Sequence, residues 1–287
     1  MDQSAQSNPE PNPAPNPVQD ASERSAFMHP ESPTDDRDIF GNAPKHHADW
    51  SHRRGEPRMF TLLWMVYLMG STVLMFSSMA MAYSINPEIT RRAAKSMFLV
   101  VVIGYSVLWP MVRFSQRHPA TAHVRFAIRD AIVLFVPMQA VIWPQALPVL
   151  SGWSIEVVGA LSALSLVWII ILAGVIAIGS GSIERNGGRE WIRISWMVLA
   201  MVIVFGAPIV GGISVIGAEV DVNRPRVGWL LSPIAGFYEI VRDRQELGLS
   251  ARVFVEHWRM IIALLCVGSA LLLIARALEV ARARYRA

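Results

Sequence analysis

Between Phe60 and Tyr83 the chain runs for 24 residues without a charged side chain. An α-helix rises 1.5 Å per residue, so about 20 residues cross a hydrocarbon layer near 30 Å thick. A soluble core of ordinary size needs no such run. Five further apolar stretches follow, at Met97–Phe114, Ala131–Leu150, Val157–Ile178, Ile194–Ile216 and Met260–Ala275. The second is short and carries Pro110 near its end. The third holds Pro137, Pro144 and Pro148, and is expected to kink or break where proline frees backbone carbonyls. The sixth is extended by Trp258 and by Arg259 and Arg276, whose long side chains reach back to water. The expected fold is all-α: a polytopic transmembrane helical bundle of about six spans over residues 59–287, in contact with membrane lipid.

Charge supports this reading. Only 17% of residues are charged and 53% are apolar, and the charges gather in islands between the apolar runs. Residues 1–40 hold eight acidic side chains against Arg24 and Arg37, so a whole-chain charge of +4 leaves the remainder near +10. The arginines flank apolar runs, which points to anchoring and orientation, with no nucleic-acid partner. The segments 41–58, 113–130, 180–193 and the tail from 276 hold fifteen Lys and Arg together. That places both termini on the cytoplasmic side of a cell membrane. Arg91, Arg92 and Lys95 on the other side argue against it.

Residues 1–58 form the other expected unit, an acidic Pro-rich tail with a basic collar before the first span. Prolines at 9, 11, 13, 15 and 17 remove backbone donors and fix φ, so the expectation is a disordered, polyproline-like tether. No apolar segment precedes Met59, so the first span is expected to serve as an uncleaved anchor. His46, His47, Asp49 and His52 resemble metal ligands, yet no second ligand pair completes a site, and they are read as juxtamembrane polarity. Cys266 is read as a small core residue.

Chemistry-bearing patterns are scarce. Asp130, Glu156 and Arg193 are placed at span ends, and all seven histidines outside the spans. Phosphate-binding and zinc-protease motifs do not occur, so the chain is expected to be neither an enzyme nor a holder of cofactor or metal. The spans instead carry packing features. These are Gly159, Ser162 and Ala163 in the fourth, and Gly206, Pro208, Gly211 and Gly212 in the fifth. Gln139, Gln145 and Pro144 would line a polar cavity or pack against a neighbouring helix. Six tryptophans near span ends, Trp143, Trp153, Trp191, Trp196, Trp229 and Trp258, suit an interfacial belt. Residues 227–241, interrupted by Pro233, are too few for a straight span and suit either a re-entrant or an interfacial helix.

The C-terminal third resembles the type-two ABC exporter permeases. The resemblance rests on the proline-containing fifth span, the segment LLSPIAGFYEIV (Leu230–Val241), and a last helix ending in the basic RALEVARARYRA. It implies re-entrant helices before the last span, a homodimer with a path between protomers, and a separate ATPase subunit. That ATPase would dock on the 113–130 loop through Arg117, Arg125 and Arg129. The family's amphipathic elbow helix would have to lie within 41–58. The rival expectation is a non-transporting scaffold that recruits partners through its N-terminal tail.

Overall fold

A computed structural model of the chain describes residues 57–80, 87–116, 122–215, 225–244 and 251–286. The described residues all belong to one compact unit, His52–Ala287. The expected Pro-rich tether, the histidine segment, the elbow position and Arg117 lie outside the described residues.

The described residues are helical, with one isolated antiparallel bridge between Asp243 and Ala251. In chain order, α1 is Pro57–Ala80 and α2 is Pro87–Ile103. A π-helical segment, Gly104–Leu108, leads into α3, Trp109–Ser115. Then come α4, His123–Ile142, with a 3-10 turn at Trp143–Ala146, and α5, Ile155–Arg185. The chain continues through α6, Glu190–Val215, a 3-10 turn at Val227–Leu231, α7, Pro233–Ile240, and α8, Val255–Arg286. Five rods are long and apolar enough to cross a membrane: α1, α2 with α3, α4, α5 and α8. The chain is therefore a multi-pass integral membrane protein. The fifth expected span, Ile194–Ile216, is helical as well, since α6 covers 26 residues.

Local chemistry sets several boundaries. Ser154 caps α5 by accepting the Val157 N–H, and Glu156 complements the positive end of the helix dipole. The helix stops at Gly187 and Gly188, both with positive φ, whose amides close back on the Glu184 and Ile183 carbonyls. Pro110 cannot donate to the preceding turn, and the chain passes into it through the π segment. There Gly104 leaves room for the Tyr67 ring, whose hydroxyl donates to the Val100 carbonyl at 2.7 Å.

The helix α5 is the centre of the bundle, buried along most of its length, with α4, α6 and α8 around it. Its closest approach is to α8. A Cβ on Gly174 would stand 2.7 Å from the Leu271 Cβ, and one on Gly268 would stand 3.0 Å from Ile170. These are glycines that allow close packing; Gly159, the one expected to do so on the same helix as Gly174, has nothing within 4 Å of its Cβ position. Ala in place of Gly174 should therefore push α5 and α8 apart, at a cost of about 1–3 kcal/mol. A lower thermal unfolding midpoint in detergent, beside an unchanged Gly159→Ala control, is the expected result.

The outer helices bury one stripe and expose the rest. Helix α8 buries His257, Ile261, Leu264 and Ala275 while presenting Ile262, Val267, Leu273 and Ile274 outward. Cys266 lies on that outward face and not in the core, because it falls off the buried stripe. In water such a surface would aggregate, whereas lipid tails cover it.

Candidate functional site

Alternating crossings give the bundle a near end, where α1 begins and α8 finishes, and a far end. The segment 227–240 enters from the far end and turns inside the bundle. Trp168, 13 residues into α5 and so about 20 Å along it, donates its indole N–H to the Leu230 carbonyl at 3.2 Å. Ser232 donates to the Val204 carbonyl of α6 at 2.7 Å and also caps α7 by accepting the Ala235 N–H. Pro233 occupies the first turn of α7, where its missing N–H costs nothing. Gly236 lies close against Leu230 and Leu164, and Phe237 packs on Phe98 of α2. Non-helical backbone at such depth is tolerated only when protein surrounds it, and here protein does.

The segment climbs back to a charged cluster. Glu239, Arg244 and His257 have fully buried side chains. One Glu239 oxygen accepts from the Arg244 guanidinium at 2.8 Å and from the Arg226 backbone N–H at 3.0 Å. Arg242 approaches the same carboxylate at 3.4 Å. His257 accepts the Phe254 N–H on Nδ1, which places the ring proton on Nε2, 3.5 Å from Glu239. Burial pushes the Glu239 carboxyl up. The His257 imidazole, the Arg226 amide and the Arg242 and Arg244 charges outweigh it and hold the group below the usual carboxylate range. The cluster fastens the turned-back segment to the first turn of α8. Beside it, Lys95 pairs with Asp243 at 2.6 Å and Arg91 donates to the Ser151 carbonyl at 3.0 Å.

The near end carries a second buried pair. Arg113 of α3 donates to Asp130 of α4 at 2.7 Å and to Gln116 at 2.8 Å, and Trp109 donates to Asp130 at 3.4 Å. The guanidinium also lies over the rings of Phe60 and Phe126, at 4.3 and 4.7 Å. This joins α1, α3 and α4. Asp130 is thus not at a helix end: α4 begins at His123, seven residues earlier. His123 and His257 likewise belong to helices and are buried, against the expectation that every histidine lies outside the spans. Each placement has one cause: paired charges let the helices run past the apolar windows.

The expected site residues divide. Arg125 and Arg129 are exposed, but on the first two turns of α4 and not on a loop. Gln139 accepts from Ser162 of α5 at 2.6 Å and from Trp143 at 3.1 Å, and donates to the Phe135 carbonyl, so its polar groups are spent on packing. Gln145 is buried and accepts from Ser151. Pro144 sits in the 3-10 turn that ends the third rod. Pro208, Gly211 and Gly212 fall in the last third of α6, where side chains lie outside the described residues. Pro233 alone joins a cluster, as the start of α7. The residues missed were Arg113, Asp130, Arg244 and His257. Glu239 itself was the available signal: a lone carboxylate in an apolar run demands partners.

Comparison with protein-family models, with curated proteins and with solved structures finds no match.

Proposed function

We propose that this chain is the membrane-spanning permease subunit of a transporter driven by a separate ATPase. The observation that carries the reading is the segment 227–240, turned back at mid-depth between the last two long helices and held there by Trp168 and Ser232. Broken helices at the midplane are a transporter device, and the packing around this one meets the condition under which such a break persists. The order of elements agrees with the type-two exporter resemblance: six long helices, the re-entrant segment before the last, and a basic final turn. In this reading two copies form the path between them. The start of α4, with Arg125 and Arg129, meets the ATPase on the cytoplasmic side. Both termini lie there too. Arg91 and Lys95 on the other face are engaged by Ser151 and Asp243, which lessens their weight against that orientation.

Extraction of the intact protein from its own cells in mild detergent should bring down a nucleotide-binding subunit. The charge-reversed pair Arg125→Glu and Arg129→Glu should lower its recovery by about tenfold or more, since like charges at an interface act against encounter and binding. A crosslinked preparation free of any ATPase sinks the proposal. Removing residues 1–40 should leave transport intact, whereas a recruiting scaffold would lose its function.

A further inference from the structure

A polar pocket of about 340 Å³ opens at the near end, where the finish of α3, the start of α4, the finish of α5 and the start of α6 converge. Its walls include Gln116, His123, Ser180, Glu184, Gly188 and Arg193. The Ser180 hydroxyl, the His123 Nδ1 and the Arg193 Nε are buried and lack a hydrogen-bond partner among the described residues. Ser180 is 3% exposed and His123 5%, so water from outside does not satisfy them at the surface. A buried polar atom without a partner is costly, and three around one cavity ask for a shared one.

The chemistry of that partner follows from what the walls offer. Gln116 has its oxygen taken by Arg113, which leaves its amide nitrogen to give. His123 is held through Nε2 by Glu184 at 2.8 Å, so Nδ1 is its remaining polar atom. Arg193 and Ser180 donate as well. The backbone amides of Gly187 and Gly188 are consumed by Glu184 and Ile183, so the side chains alone must serve. Glu184 is the carboxylate in the wall, and His123 engages it. Beside the His123–Glu184 pair the pocket presents the Arg193 cation with the Ser180 and Gln116 donors, the complement of an oxyanion.

We infer that this pocket is a binding site for a phosphate-type anion, with Arg193 and Ser180 as its principal ligands. The site stands independently of the transport reading. Two sources share this chemistry, an anionic lipid headgroup at the adjoining membrane surface and free phosphate from the water.

The test uses the full-length protein in nanodiscs, with binding read by calorimetry and by retention of lipid in native mass spectrometry. One arm adds inorganic phosphate to phosphatidylcholine discs. The other replaces part of the phosphatidylcholine with phosphatidylglycerol. Saturable binding in the first arm identifies a free anion, and selective retention in the second identifies the headgroup. In whichever arm binds, Arg193→Gln should weaken affinity by tenfold or more and Ser180→Ala severalfold. Arg284→Gln, which removes an exposed charge near the same end, should stay within twofold. Should Arg193→Gln fail to fold, Ser180→Ala decides alone, since that hydroxyl has no partner to lose. Absence of selective binding in both arms, or binding indifferent to the substitution in folded protein, overturns the inference.

Discussion

Replacing Glu239 by alanine is expected to destabilise the bundle by about 3–5 kcal/mol, because the change strands buried cations beside an empty site. Arg244 would lose its 2.8 Å partner, Arg242 its nearest carboxylate, and the Arg226 amide its acceptor. The loss should be local first. Hydrogen exchange over 227–241 should rise well before that of α5, since the cluster is what fastens this segment to α8. The same group sets a pH dependence. Its carboxyl titrates lower in the folded chain than in the unfolded one, so its contribution is complete above the ordinary carboxylate range. That contribution is lost as pH falls through the depressed folded value. A series of unfolding midpoints from pH 7 down to about 3 should show this decline in the wild type. Glu239→Gln, which cannot ionise, should lack this component of the slope. A mutant whose exchange and midpoint match the wild type would show that the cluster holds nothing.

Breaking the near-end pair should be comparably severe, and its rescue is the sharper measurement. Arg113→Met leaves Asp130 buried without its cation, with Trp109 at 3.4 Å as a remaining donor, and Asp130→Leu leaves Arg113 between two aromatic rings. Each single change should cost about 3–5 kcal/mol. The double change replaces both charges with apolar volume and should recover most of that loss, because no ion then remains to be desolvated. Additive single costs in the double variant would mean that the two residues act through packing alone. The aromatic contacts make Arg113→Lys a poor substitute, as a lysine cannot offer a planar fork to Asp130 while lying over Phe60 and Phe126.

Much of the architecture was legible in residue order, for a plain reason. Uncharged runs such as Phe60–Tyr83 and Val157–Ile178 have no home except lipid or a deep core, and the long helices fall on them. Helix ends were not legible. Hydropathy stopped the second stretch's start at Met97 and the third's at Ala131, while the helices begin at Pro87 and His123. The difference is made by Lys95, Asp130 and His123, whose partners Asp243, Arg113 and Glu184 stand 17 to 148 residues away in the chain. Pairing across such separations leaves no periodic trace. The course of 227–241 was not legible either, because it rests on Trp168 and Val204, 62 and 28 residues from their partners, offering hydrogen bonds. Among the expected close-packing glycines, Gly159 meets no neighbour for a related reason. A glycine matters where another helix arrives, and that arrival at Gly174 is decided by α8.

The turned-back segment also orders the assembly of the chain. Its 3-10 backbone cannot enter lipid unaided, so it must wait for a prepared niche. Phe98, Trp168 and Val204, which line that niche, all belong to helices made before it. His257, which meets Glu239, belongs to the helix made after it. The helix that follows it out of the ribosome is therefore the bolt on a door that its predecessors have already hung.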